Sequence, residues 1–502
     1  MLRLNFFFIF LISLSPLFGQ KPAKIKLLKA DYSRYDIQIA KNAQRLIGNV
    51  KLSHQGTLMQ CDSAWLFENE NRVKAFSKIR INQGDSLRLE GDLLEYSGEN
   101  QVADISGNIR MSDRAMLLET EYLLFNMEEN TATYINGGEI TNRENNNVLT
   151  SEKGTYFTDH ETFHFKENVI LNNPDYTIET DTLHYREYNS TADFLGPTFI
   201  RGEENLIYCE NGYYDTENDL ARFGQNAYVW FDGQKLEGDS LFYDRNSGIG
   251  IAKGNVAIQD TLNDFIIQGN IGRHLEKEEI SFVTGRAEYI QVFENDSLFL
   301  HADTLKAVPD TLNQKKIQCF SGAKFYKSDM QGACDSLIYS ERDSAFYMYE
   351  DPVIWNEENQ ITGDFIQLNT LEDGLDDMKV RGNSFIISKV DDKHYNQIKG
   401  RNMNGHFSQN ELVKVDVIGN GTLVYYPTEE TEEGDQKIIG LNRALCSDIQ
   451  IRIKDREITY VNLQNQTDSK FLPLEMASEQ DKVLKGFEWK GALRPMNRKE
   501  IF

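Results

Sequence analysis

One eight-residue phrase recurs down this chain, and its spacing leaves few folds open. It reads aliphatic, any, small, acidic, any, apolar, any, then aromatic or apolar. It stands as LEGDLLEY at 89–96, LETEYLLF at 118–125, LTSEKGTY at 149–156, IETDTLHY at 178–185, IYCENGYY at 207–214 and LEGDSLFY at 236–243. Weaker copies occupy 59–66, 267–274, 300–307, 332–339, 361–368 and 398–405. The anchor position holds Asp62, Asp92, Glu121, Glu152, Asp181, Glu210, Asp239, Asn270, Asp303, Asp335, Asp364 and Arg401, stepping by 29 to 33 residues except for a last step of 37. A fixed period of that size marks a repeat architecture, in which each unit buries its apolar face against its neighbours.

A second phrase follows each first one, as in ADISGNIRM at 103–111 and GIAKGNVAI at 250–258, and an extra copy, AQRLIGNVKL, precedes the first anchor at 43–52. Turn residues such as Ser97-Gly98-Glu99-Asn100 and Arg245-Asn246-Ser247-Gly248 separate the phrases. Both phrases alternate with period two and carry Tyr, Phe, Val and Ile, so each repeat is strand, turn, strand, turn. The prediction is an all-β chain: an elongated β-jellyroll or solenoid-like roll of about 24 short antiparallel strands built from ~30-residue repeats. Within the first phrase, Leu89 and Gly91 share one parity, whereas Leu94 and Tyr96 share the other. A bulge or corner at the small–acidic junction would bring all four to one interior. The anchor acids are expected to hydrogen-bond backbone at these bends.

Residues 1–19 read as a secretory signal: Arg3, then an apolar run too short to span a membrane, then Pro16 and Gly19. Export follows as an expectation. Residues 20–427 hold the tandem repeats, as one continuous roll or two or three fused modules; 428–436 is an acidic loop; 437–502 is a C-terminal cap with a degenerate repeat at Ala444, Cys446, Ile449 and Ile451. A formal net charge of −25 opposes nucleic acid as the partner, because phosphate binding requires clustered cations. The five cysteines are scattered and odd in number, which argues against a disulfide framework or a zinc site. Cys61, Cys209 and Cys334 occupy the small position of the phrase and read as small core residues.

Two catalytic motifs are set aside. HETFH at 160–164 matches a zinc-protease pattern that requires a helix; on a strand its histidines would lie ~13 Å apart. GDSL at 84–87 and 238–241 suggests a serine hydrolase, but the second copy belongs to the repeated phrase and CDSA and CDSL recur beside it. No catalytic residue, metal or cofactor is assigned.

The tiled apolar-x-small-Asp-x-Leu-x-Tyr strand and Ala-xxx-Gly-Asn-Val strand, behind a signal, resemble the OstA/LptA family of periplasmic lipopolysaccharide-transport proteins. The best matches are Gly91-Asp92 with Tyr96, Asp181 with Leu183 and Tyr185, Gly238-Asp239 with Leu241 and Tyr243, and Gly254-Asn255-Val256. The resemblance covers roughly 40–425 and implies a non-enzymatic β-jellyroll with acyl chains in its apolar interior. It further implies lipopolysaccharide or a related acylated glycolipid as cargo, carried toward the outer membrane. Partners would be like-folded transport components at both membranes, with end-to-end self-association. Groove candidates are then Leu89, Leu94, Tyr96, Leu118, Leu123, Phe125, Ile178, Leu183, Tyr185, Leu236, Leu241 and Tyr243. The competing expectation is an exported β-repeat scaffold for outer-membrane assembly or surface adhesion, its interior packed shut.

Overall fold

The computed structural model describes residues 23–35, 42–83, 87–144, 146–203, 205–231, 233–262, 264–294, 296–312, 314–371, 374–409, 411–430, 436–454 and 457–502. The secretory signal at 1–19 and most of the GDSL copy at 84–87 lie outside them. The described residues are nearly all strand, in two compact units: one to Phe194, the other from Leu195.

In both units the two phrases form long antiparallel neighbours. Leu87–Ser97 carries one first phrase and Val102–Ser112 the second phrase that follows it. Forty strands arise among the described residues rather than about 24, because some repeats break at the corner and each half counts separately. Val148–Ser151 and Lys153–Phe157 are such halves of one phrase.

The corner is where the parity argument puts it. Leu89, Gly91, Leu94 and Tyr96 are all buried, and the pairing of 87–97 with 102–112 shifts register between Glu90 and Leu93. The bulged residues sit in the second phrase. Gly107 and Asn108 take consecutive left-handed conformations, with φ of 82° and 46°, and Gly254 and Asn255 repeat this at 70° and 47°. Glycine, then asparagine, are the residues that tolerate such a pair, which explains the Gly-Asn spelling. The close approach adds a second demand: a Cβ on Gly254 would stand 2.2 Å from the Asp239 carboxylate.

The anchor acids hold this corner mostly through side-chain donors, and one makes the expected backbone contact: Glu121 accepts the Asn108 N–H at 3.4 Å. Asn108 Nδ2 donates to Asp92 at 2.6 Å, Asn226 to Glu210 at 2.8 Å, and Asn255 to Asp239 at 3.0 Å. Asparagine supplies a side-chain donor that reaches across to the neighbouring strand. Asn49 donates to Asp31 at 2.7 Å in the same way. Asp31 therefore anchors a further copy, LKADYSRY at 28–35, which the sequence reading missed.

The acidic segment at 428–436 is bounded by a hairpin, Thr428–Glu430 paired with Gln436–Ile438. In the degenerate copy, Ala444, Cys446, Ile449 and Ile451 are buried on the strand Leu441–Lys454. All five cysteines are free and buried. Burial pushes the Cys61 thiol up to about 11 and those of Cys209 and Cys334 up to about 12, so they are inert apolar side chains.

Candidate functional site

The inward positions of the strands in each unit are the candidate site, and they come in two states. In the first unit most are filled. Leu94 and Tyr96 are 1% exposed and Leu123 is 0% exposed; Leu89, Leu118, Phe125, Ile178 and Leu183 are likewise buried. Facing strands contribute Ile105, Ile109 and Met111, all buried. Farther along, Tyr134 lies buried in the space that Gly138 and Gly154 leave open, and its hydroxyl is 2.6 Å from Ser151 Oγ. The void among Met111, Met116, Leu118, Tyr134, Phe163 and Phe165 measures only about 20 Å³, room for roughly one water.

The roll's first repeats are also closed across their mouth. The mouth lies between the two ends of each bent strand, opposite the corner. Here Tyr96 and His54 meet at 2.7 Å, O to Nδ1, with both residues buried. His54 Nε2 lies 2.9 Å from the Ala23 carbonyl and must donate to it, so Nδ1 accepts the Tyr96 hydroxyl proton. Asn71 donates to the same carbonyl at 2.9 Å and accepts the Ile25 N–H at 2.9 Å.

Residues 205–275 of the second unit differ. Gly212 and Gly272 stand where the strand Leu87–Ser97 of the first unit has Leu94, Ala252 stands where Val102–Ser112 has Ile105, and Ala227 where it has Ile109. Ile207, Tyr214, Val229, Leu236, Tyr243 and Ile258 face the same interior and are only half-buried. Small residues near the corner place less side-chain volume around the longer side chains toward the mouth, which are only partly buried. The tyrosine hydroxyls do not bridge the mouth. Tyr214 donates to Asp219 at 3.1 Å and Tyr243 to Glu276 at 2.6 Å. Burial, with the Glu276 bond, pushes the Tyr243 phenol up to about 12. The result is an apolar interior edged by phenols and carboxylates. From Phe265 onward a continuous buried cluster fills the interior again, through Ile451.

Of the twelve groove candidates, Leu236, Tyr243 and Tyr185 are partly exposed. The other nine, Leu241 among them, are buried core. Ile207, Tyr214, Val229 and Ile258 face the same interior, are partly buried and were not among the twelve. The catalytic motifs dissolve into the repeat. His160 sits in a turn, while His164 lies on the strand Thr162–Asn172 and stacks on His184 at 3.9 Å. Among the described residues no group of three or more metal-capable side chains converges. In the GDSL copy at 238–241, Asp239 is the corner anchor that Asn255 holds.

Comparison with known proteins bears on this geometry. Residues 22–181, about a third of the chain, match the family described as OstA-like protein. The chain carries an OstA-like region. This region lies in the first, packed unit, and its resemblance to the family stands. Among solved structures, the chain is similar to LptH from Pseudomonas aeruginosa, the LptA homologous periplasmic component of the conserved lipopolysaccharide transport device. The identity is 16%, over 29% of this chain and 99% of that one, with a TM-score of 0.23. No curated protein matches. Among the described residues no helix is long and apolar enough to cross a membrane.

Proposed function

We propose that this protein is a non-enzymatic periplasmic lipid-binding bridge. Its cargo is lipopolysaccharide or a related acylated glycolipid, passed toward the outer membrane, and its partners are like-folded components at the two membranes. The observation that carries the reading is the half-buried apolar interior at 205–275, combined with the OstA-like region at 22–181. Removing acyl chains from water is favourable by about 0.8 kcal/mol per methylene. An interior with half-buried Ile207, Val229, Leu236 and Ile258 offers them a place that the packed first unit does not. The proposed site accordingly keeps Leu236 and Tyr243 from the twelve candidates and adds Ile207, Tyr214, Val229 and Ile258. The carboxylates of Asp219 and Glu276 at the mouth favour the neutral or amine-bearing parts of a head group over its phosphates.

The scaffold reading has its own support: the filled interior around Tyr134. It accounts for the first unit and leaves the exposed interior of the second without a role. The two readings separate on the protein purified from its own envelope. Native mass spectrometry with solvent extraction should recover an acylated glycolipid. Clean apoprotein that also refuses added lipid A would establish the scaffold.

A further inference from the structure

The last three copies of the first phrase share a residue that the others lack. Gln331, Gln360 and Gln397 each stand directly ahead of the phrase, three places before its small residue; the same place holds Arg88, Thr177 or Lys235 in earlier copies. By alternation this place faces outward, yet the three glutamines are 3%, 1% and 2% exposed. The segment that buries them is 478–502.

Two of the contacts are alike. Gln397 Nε2 donates to the Lys482 carbonyl at 2.8 Å, and its Oε1 accepts the Leu484 N–H at 2.8 Å. Gln360 Nε2 donates to the Glu488 carbonyl at 2.7 Å, and its Oε1 accepts the Lys490 N–H at 2.6 Å. Each amide thus brackets residues i and i+2 of an extended backbone, as a strand edge would, and reads no side chain there. Side chains are read at two arginines. Arg494 donates to Gln331 Oε1 at 2.7 Å and to the Glu357 carbonyl at 2.6 Å. Arg498 makes a two-pronged pair with Glu288, at 2.7 Å on each oxygen, and Glu288 is 0% exposed. Between the brackets, Phe487 and Trp489 pack on Tyr395. Leu484 joins Phe385, Ile387, Val424, Tyr426 and Leu441.

We propose that this outer face is a recognition groove for a peptide segment, that 478–502 is its ligand held in cis, and that a second copy of this chain can supply the same segment in trans. The segment leaves the last paired strand at Leu472, so the linker 473–477 can redirect it without unpairing any strand. Exchange between two copies would keep every bracket and ion pair unchanged.

The test uses the full chain. The double variant Trp489→Ala, Arg498→Glu weakens its own tail and leaves the groove intact. A labelled peptide of residues 478–502 should bind it saturably by fluorescence anisotropy. Adding Gln397→Ala or Gln360→Ala should weaken binding roughly tenfold each, since each removes two hydrogen bonds. No binding to the folded variant, or binding indifferent to both glutamines, overturns the proposal. A second measurement needs no variant. Excess peptide added to the wild-type chain should speed hydrogen exchange at the Leu484 and Lys490 amides as the tail is displaced and exchanges; unchanged rates also overturn it.

Discussion

LEGDLLEY at 89–96 and LEGDSLFY at 236–243 are almost one phrase, and they end in different environments. Leu89 and Tyr96 are sealed in the first unit, whereas Leu236 and Tyr243 are half-buried in the second. The difference lies in what stands beside them. Across from Tyr96 is Ala103, with Ile105 and Met111 farther along that strand. Across from Tyr243 is Gly250, with Ala252 next to it on the same face. The hydroxyls follow suit: that of Tyr96 closes the mouth onto His54, and that of Tyr243 turns to Glu276. A repeat fixes where a side chain points, but its neighbours decide whether it becomes core or surface.

The widest predicted gap between the two regions comes from a buried charge. Leu94→Asp should cost more than about 4 kcal/mol and prevent folding, because the carboxylate has neither water nor partner. Leu236→Asp should fold, with a near-wild-type melting temperature, and lose acyl-chain binding. A Leu236→Asp protein that unfolds in circular dichroism would erase the distinction. Truncation narrows the gap. Leu123→Ala should cost about 2–5 kcal/mol by chemical denaturation, and Leu236→Ala less than about 1.5 kcal/mol. Smaller again is the phenol contrast. Tyr96→Phe leaves buried His54 Nδ1 unpaired and should cost about 1–3 kcal/mol; Tyr243→Phe should cost no more than about 0.5 kcal/mol.

The mildest test is alkaline titration. Burial pushes the Tyr96 and Tyr134 phenols up to about 12, against about 10 in the unfolded chain. Their contribution to stability is therefore complete below pH 10 and is lost as the pH rises through 12. Near-ultraviolet absorbance should show these phenols ionising together with unfolding. Ionisation of the packed tyrosines in a protein whose far-ultraviolet spectrum is still folded would contradict the burial described for them.

Much of the fold was legible because a corner every repeat imposes its own spelling. The parity switch between Gly91 and Leu94 reports the bend, and Gly107-Asn108 reports the paired left-handed residues opposite it. The site was less legible. Ranking copies by the strength of the phrase favours residues with large partners, which is why Leu94, Leu118 and Phe125 turned out to be sealed core. The informative positions were the weak ones, Gly212 and Gly272, which lack a side chain where the strong copy has Leu94. The first copy at 28–35 escaped notice because its strands are exposed at the edge and Ser33 replaces the apolar residue. The role of 478–502 was hidden as well, since backbone brackets leave no pattern in the segment they hold; the pattern is in Gln360 and Gln397.

The central claim is that the interior at 205–275 takes acyl chains. Native mass spectrometry of the wild-type chain and of Leu236→Asp, each incubated with lipid A, tests it most directly. The account predicts a lipid adduct on the wild type that disappears in a Leu236→Asp protein with unchanged circular dichroism. No adduct on the wild type, or an adduct that survives the substitution, would contradict it.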